Sequence, residues 1–203
     1  LGNEVYLVEK ENTVGGRVAH TGKVFMSGQE GKNLVEQLHD EIKKLSNIKV
    51  FTNASVEKTG GSLGNFLVEV LVNTATKSEK LSLNVGAVLV TTGMDTYHPA
   101  ENEFGYGTSP RIMTLPEFDQ WLMKAGDSPL IDNKPVRRIA YIYCVGNRQK
   151  KGENKYCSRM CCTAAINTAL QVKEKFPNVI NFHLFRDIRT YNKQEILYKK
   201  SSK

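Results

Sequence analysis

The stretch "NEVYLVEKENTVGGR" (residues 3–17) indicates the fold of the first half of the chain. Its apolar residues first alternate and then run together as far as Glu9, which is typical of a strand buried in a parallel sheet. A turn with two consecutive glycines, Gly15 and Gly16, follows Glu9. In dinucleotide-binding folds, an acidic residue at the end of a buried strand accepts hydrogen bonds from an adenosine ribose. The stretch therefore predicts an α/β fold and makes Glu9 a candidate cofactor ligand.

The remaining elements of the first half follow from hydrophobic periodicity. The pattern predicts a helix over 30–46, a strand over 47–56, and two or three further strands over the stretches 64–73 and 80–93, the first two of them antiparallel. The last of these ends in "VLVTTG" (88–93), a hydrophobic strand with a small, glycine-terminated turn.

A proline- and glycine-bearing stretch at 97–110 predicts a domain boundary. We therefore expect one domain over 1–108 and a second over 109–203. The second domain begins with a helix over 115–126 and continues, in order, with a strand over 136–146, a helix over 161–176 and a strand over 180–189. The last three elements form a predicted βαβ unit.

Charge and composition exclude several classes of protein. The net charge of +7 arises from scattered basic residues without interleaved aromatics, which indicates a solvated surface and no nucleic-acid partner. No apolar run approaches the roughly 20 residues that span a bilayer, so no membrane span is expected. Without a secretory signal or a disulfide framework, the sequence predicts a cytoplasmic protein.

The four cysteines of the chain lie within nineteen residues, in the pattern C-x12-C-x3-C-C from Cys144 to Cys162. Three of them stand at the predicted start of a helix, whose N-terminus stabilises thiolate charge. Four thiolates are the usual ligands of a [4Fe–4S] cluster. Zinc is a second interpretation, although structural zinc sites usually have closer C-x2–4-C spacing. Two further interpretations of the four cysteines stay open: they carry out thiol redox chemistry, or they bind no ligand.

Several stretches together resemble the A-subunit family of heterodisulfide reductases, which has a core like those of thioredoxin reductase and glutathione reductase. They are "VYLVEKENTVGGR", "TTGMDTYHPAENEFGYG", "AYIYCVGNR", "KYCSRMCC" and "LQVKEKFPNVINFHLFRDIRTYNK". The similarity covers nearly the whole chain apart from roughly residues 25–80. It implies a partial Rossmann-like FAD-binding domain followed by a second βαβ lobe. Electron transfer in a flavin- and iron–sulfur-dependent oxidoreductase is the implied function.

The resemblance also implies cofactor ligands but no catalytic residue in this chain. The residues that match the family's [4Fe–4S] ligands are Cys144, Cys157, Cys161 and Cys162. Those that match its FAD contacts are Glu9, Lys10, Gly15, Gly16, Arg17, Val56, Thr92 and Gly93. The implied partners are other subunits of a heterodisulfide reductase-like complex and iron–sulfur electron carriers. A zinc-stabilised α/β interaction module without redox activity is the alternative function.

The chain departs from the family pattern in three places. It contains no G-x-G-x-x-G turn, no cysteine in "HTGKVFMSGQ" (20–29) and no ferredoxin-type C-x2-C-x2-C run. These departures predict a fragment of the longer protein that is inactive on its own. The connection from Cys144 to Cys161 is also too long to be the tight glycine turn that binds a nicotinamide dinucleotide. We therefore expect a metal cluster in the place of a nicotinamide cofactor.

Overall fold

The computed structural model describes residues 2–25 and 27–202. The chain forms two compact units. The first unit comprises Leu1–Val24 and Gly28–Met94, and the second comprises Phe25–Ser27 and Asp95–Lys203. The main boundary between the two units lies after Met94, whereas the domain limits 1–108 and 109–203 stay a prediction.

The first unit begins with a parallel pair of strands connected by a helix. Its elements are β1 (Val5–Val8), a 3-10 helix (Gly16–His20), α1 (Gly31–Lys43) and β2 (Ile48–Phe51). Val5 of β1 lies opposite Ile48 of β2, and the two strands run parallel. The predicted parallel strand and the predicted helix are therefore both present, although the side chains of β1 are only partly buried.

A three-stranded antiparallel sheet completes the first unit, in the order β3 (Ala54–Ser62), β4 (Asn65–Asn73) and β5 (Ser78–Val85). Ala54, Val68 and Val70 form its small core. The single strand predicted over 47–56 is wrong, since it is two strands, β2 and β3. The chain turns between them at Asn53, which has a φ of 49°. Asparagine adopts this left-handed conformation more readily than most residues.

The hydrophobic strand predicted at 88–93 is also wrong. Strand β5 ends at Val85, and residues 87–100 form no regular secondary structure. Leu89 and Val90 are 86% and 76% exposed. A strand is stable only where a neighbouring strand takes up its backbone hydrogen bonds, and an apolar sequence alone does not supply that neighbour.

The second unit contains the predicted βαβ arrangement. Its helices and strands are α2 (Leu115–Lys124), β6 (Leu130–Ile131), β7 (Lys134–Pro135), β8 (Arg138–Ile142), α3 (Cys161–Lys175), β9 (Ile180–Leu184) and α4 (Glu195–Ser201). Strands β8 and β9 pair in parallel, with Tyr141 opposite His183. Thr114 and Glu117 form a reciprocal capping box at the start of α2, which satisfies backbone amides that lack a partner within the helix.

The core of the second unit forms between α2, α3 and one face of the β8–β9 pair. Phe118 and Leu122 of α2 pack into a buried cluster with Tyr141 of β8 and Val172 of α3. Because Cys162 belongs to the same cluster, packing fixes the first turn of α3 against the sheet. No helix within the described part of the chain is long and apolar enough to cross a membrane.

Candidate metal centre

The cysteines lie at the edge of the sheet where the parallel strands β8 and β9 both end. Cys144 follows β8 almost directly, and Cys161 and Cys162 open α3. Cys157 lies in the loop that connects them. Cys144 has a φ of 61°, so the chain turns sharply there as it leaves the sheet. The residues after β9 reach the same edge, because parallel strands end on one side of a sheet.

Each of the four sulfur atoms accepts a hydrogen bond from nitrogen, and for Cys161 the donors are the amides of Cys144 and Cys162. The amide of Arg159 donates to Sγ of Cys157 at 3.4 Å, and the amide of Arg189 donates to Sγ of Cys162 at 3.4 Å. Nη1 of Arg148 lies 3.8 Å from Sγ of Cys144. Donors of this kind stabilise negative charge on sulfur, the charge that a metal-bound cysteine carries.

Cys161 and Cys162 interact directly and share a proton unequally. The thiol of Cys162 donates to the sulfur of Cys161 and, with further hydrogen bonds from Ser158 and the amide of Cys144, lowers the pKa of Cys161 to about 5. The same hydrogen bond, together with burial, raises the pKa of Cys162. The lowered pKa of Cys161 favours its thiolate, the form in which cysteine binds metals.

Asp187 forms ion pairs with Arg148 and Arg189 beside the cysteines. The carboxylate of Asp187 accepts hydrogen bonds from Arg148 and from Nε of Arg189, the latter at 2.8 Å. Arg189 first, and then Arg148, lowers the pKa of Asp187. Nη1 of Arg186 also donates to the carbonyl of Arg148 at 2.8 Å. The segment after β9 thus holds the start of the cysteine loop.

Gly146 lets this loop approach a second segment of the same unit. A side chain at Gly146 would overlap the ring of Tyr97, so the ring packs directly on the backbone of the loop. The hydroxyl of Tyr97 donates to Glu103 at 2.8 Å, which fixes the ring. Beside Gly146, Oδ1 of Asn147 is buried without a hydrogen-bond donor within residues 2–25 and 27–202. A ligand in the loop could satisfy such an atom.

The donor set of the four cysteines fits a thiolate-bound metal. All four thiols are free, and Cys144 and Cys161 are in contact with each other through the amide of Cys144. The Cys157 thiol lies close enough to Arg189 to interact with its charge. Within the described part of the chain, however, no three His, Cys, Asp or Glu side chains are already arranged to hold a metal ion. The four cysteines thus supply suitable metal-binding atoms, but the described side chains are not arranged in a complete coordination geometry.

The candidate flavin residues near the start of the chain occupy one continuous surface stretch. Glu9 and Lys10 follow β1, and the carboxylate of Glu9 accepts a hydrogen bond from the amide of Glu11 at 3.0 Å. Gly15 has a φ of 107°, and a side chain there would collide with Val35 of α1. Helix packing therefore explains this glycine without a ligand.

The remaining candidates lie in other parts of the first unit. Gly16 and Arg17 open the 3-10 helix and are exposed, and no heavy atom lies within 4 Å of a side chain added at Gly16. Val56 lies inside β3. Thr92 and Gly93 belong to the exposed, irregular segment that follows β5.

Sequence reasoning missed several residues of the cysteine site. Ser158 and Arg189 each contact a cysteine, and Asp187 forms ion pairs with Arg148 and Arg189. Tyr97 packs against the loop at Gly146, and Asn147 lies in it. A usable signal was present in "RDIR" (186–189), because this charged stretch follows a strand predicted to be parallel to the one before Cys144. Two parallel strands bring the residues that follow them to the same edge.

With this geometry established, the chain can be compared with known proteins. It is 25% identical to iron-sulfur A-subunit 2 of the CoB–CoM heterodisulfide reductase of Methanopyrus kandleri, over an alignment covering 100% of this chain and 43% of that protein. It is 24% identical to the A-subunit of the H(2):CoB-CoM heterodisulfide,ferredoxin reductase of Methanothermobacter thermautotrophicus, covering 99% of this chain and 42% of that protein. These similarities confirm the resemblance to the heterodisulfide reductase A-subunit. No protein-family model matches the sequence.

The chain spans less than half the length of these curated relatives. The alignment with the first of them has 282 positions and so exceeds the 203 residues of the chain. That relative therefore carries residues within the matched span that this chain lacks. A solved structure, L-proline dehydrogenase from P. horikoshii, superposes with a TM-score of 0.44 at 17% identity, covering 93% of this chain and 32% of that one.

Proposed function

We propose that the chain carries out electron transfer within an oxidoreductase of the heterodisulfide reductase A-subunit type. Its four cysteines, Cys144, Cys157, Cys161 and Cys162, would hold a [4Fe–4S] cluster that passes single electrons. The observation that carries this proposal is the similarity to heterodisulfide reductase A-subunits over nearly the whole chain. The interactions that join Cys144, Cys161 and Cys162 near the start of α3 support it.

The residues around the sulfurs favour an anionic metal–thiolate group over neutral thiols. Cys161 has a lowered pKa, and the sulfur of Cys162 accepts a backbone N–H. Arg148 and Arg189 bring positive charge beside the cysteines, and the N-terminus of the fifteen-residue helix α3 adds its dipole. A bound cluster would supply one-electron chemistry, and these groups would set how readily it accepts an electron.

The flavin part of the proposal concerns the first unit. The residues proposed to contact FAD are Glu9, Lys10, Gly15, Gly16, Arg17, Val56, Thr92 and Gly93. We infer that electrons reach the flavin from iron–sulfur carriers or from other subunits of a complex, in the cytoplasm. The connection from β8 to α3 supports this route, since cysteines stand where a dinucleotide fold would place its pyrophosphate-binding turn.

Anaerobic reconstitution with iron and sulfide tests the cluster. We expect about four irons per chain and broad visible absorption. Cys157→Ala should lose most of this iron, whereas Ser128→Ala, a small substitution on an exposed loop of the same unit, should retain it. One bound zinc and no uptake of iron would contradict the proposal and favour the zinc-stabilised module. A separate FAD titration of the apoprotein, followed by flavin fluorescence, tests the flavin residues independently of iron.

A further inference from the structure

The parallel strands β8 and β9 present one exposed apolar face. Residues opposite each other in the ladder point to the same side, and the alternate residues of both strands on this side are exposed. The face consists of Arg138, Ala140, Ile142, Ile180, Phe182 and Leu184. Phe182 is 47% exposed and Leu184 is 56% exposed. The opposite face, with Tyr141 and His183, carries the aromatic contacts towards the core.

A parallel sheet with one bare apolar face is unusual. Parallel strands occur almost always with both faces covered, commonly by helices. An apolar patch bordered by polar residues on a water-soluble surface marks an interaction site. The β8–β9 face has both properties, and five residues of strand extend about 16 Å. A helix of about 11 residues matches that length.

Unpaired positive charge borders one end of this face. A surface depression of about 600 Å³ is lined by Arg111, Pro135, Arg137, Arg138, Asn178 and Ile180. Arg111 is held in place, since its Nη2 donates to the carbonyls of Ile131 and Lys134. Within residues 2–25 and 27–202, neither Arg137 nor Arg138 forms an ion pair.

The charge distribution decides which occupant fits. Three arginines at one end of an apolar face call for carboxylates on the bound surface, because like charges left together repel one another. A second copy of this chain that paired through the same face would not bring an acidic cluster to the arginines, since that face carries no Asp or Glu. An amphipathic helix with acidic residues in its first turn meets both requirements, and carboxylates there also stabilise the helix itself.

We propose that the β8–β9 face and its arginine end bind an amphipathic, acidic helix of a partner protein. The apolar side of that helix covers Ile142, Phe182 and Leu184, and its acidic first turn meets Arg137 and Arg138. This interaction surface lies on the side of the sheet opposite the α3 packing and does not rest on the proposed electron transfer. Iron content measured in the same samples keeps the two proposals separate.

A synthetic peptide of about 14 residues tests the surface with the full chain. The peptide carries glutamates in its first turn and leucines at i, i+3, i+4 and i+7, and a fluorophore reports binding by anisotropy. We expect saturable binding that weakens with added salt. A scrambled peptide of the same composition should not bind, because it lacks a continuous apolar side.

Two variants and one control locate the binding. Both the Arg137→Glu/Arg138→Glu double variant and Phe182→Ser should weaken binding about tenfold or more. Lys199→Glu/Lys200→Glu, which reverses two exposed charges on α4, should leave binding unchanged. Equal binding by all variants, or no binding by the unaltered chain, would overturn the proposal. Sedimentation equilibrium that shows a dimer broken by Phe182→Ser would also overturn it, because the occupant would then be a second copy.

Discussion

The backbone amide of Arg189 donates a hydrogen bond to Sγ of Cys162 at 3.4 Å, although the two residues lie on different elements. Cys162 stands in the first turn of α3, and Arg189 follows β9. The bond exists because β8 and β9 are parallel and end at the same edge, where α3 begins. The segment after β9 is therefore part of the cysteine site, and its charges act on the sulfurs.

Arg148 offers the first test of this charge arrangement. We expect Arg148→Ala to make a reconstituted cluster lose iron faster to a chelator, because the variant removes the donor to Cys144 and one partner of Asp187. The cluster's reduction potential should become more negative, since a nearby positive charge favours the reduced state. Arg159→Ala keeps the amide that donates to Cys157 and is the matched control. Equal iron loss by both variants would contradict the role of Arg148.

Gly146 should be much less tolerant of substitution than Gly152 in the same loop. Both have positive φ, 70° and 88°, so alanine at either position costs about 1–2 kcal/mol of backbone energy. Alanine at Gly146 would also displace the ring of Tyr97, whereas a side chain at Gly152 meets open space. Urea unfolding should show a larger loss for Gly146→Ala. Equal losses would mean that Tyr97 does not pack on the loop.

The anchoring of α3 depends on its buried side chains. Ile166 is 2% exposed, and we expect Ile166→Ala to lower the free energy of unfolding by about 2–5 kcal/mol. Ile196→Ala on α4 is the control, since Ile196 is 65% exposed and should change stability by about 0.5 kcal/mol or less. The fluorescence of Trp121, the single tryptophan, reports unfolding of the second unit.

The partly buried imidazole of His183 should make the stability of the second unit depend on pH. Its ring stacks on Tyr141 at 5.0 Å, Nδ1 lies 2.8 Å from the Tyr143 hydroxyl, and burial lowers its pKa. In the unfolded chain, the imidazole of His183 binds a proton near the ordinary histidine pKa of about 6.5. In the folded chain, the same imidazole stays neutral to a lower pH. The free energy of unfolding should therefore fall as pH decreases through about 6.5 towards the lower folded pKa.

Urea titrations at several pH values, followed by Trp121 fluorescence, measure this dependence. His183→Gln should flatten the loss of stability between neutral and mildly acidic pH. His20→Gln, which alters an exposed histidine of the first unit, should leave the loss unchanged. A slope that persists in His183→Gln would show that another group causes it.

Sequence periodicity predicted the elements that local packing determines. The helix found at Gly31–Lys43 and the βαβ unit around Cys161–Lys175 both have apolar residues at regular spacing. The placement of the cysteines at the start of α3 followed from that pattern. These features need only an apolar stripe and a nearby surface that covers it.

The wrong strand predictions share one physical cause. Each element depends on a feature of the folded chain that the local sequence pattern does not show. The apolar stretch 88–93 was predicted to be a strand, but strand formation depends on a neighbour elsewhere in the chain. The turn at Asn53 depends on one residue's tolerance of positive φ. The contact of Arg189 with Cys162, and the ion pairs that Asp187 forms with Arg148 and Arg189, depend on the three-dimensional pairing of β8 with β9.

The most direct test of the central claim is electron paramagnetic resonance of the iron-reconstituted chain after chemical reduction, together with its iron content. We expect one reduced-cluster spin per about four irons. The signal should disappear in Cys157→Ala and persist in Ser128→Ala. A chain that takes up zinc, binds no iron and gives no signal would contradict an electron-transfer role for the four cysteines.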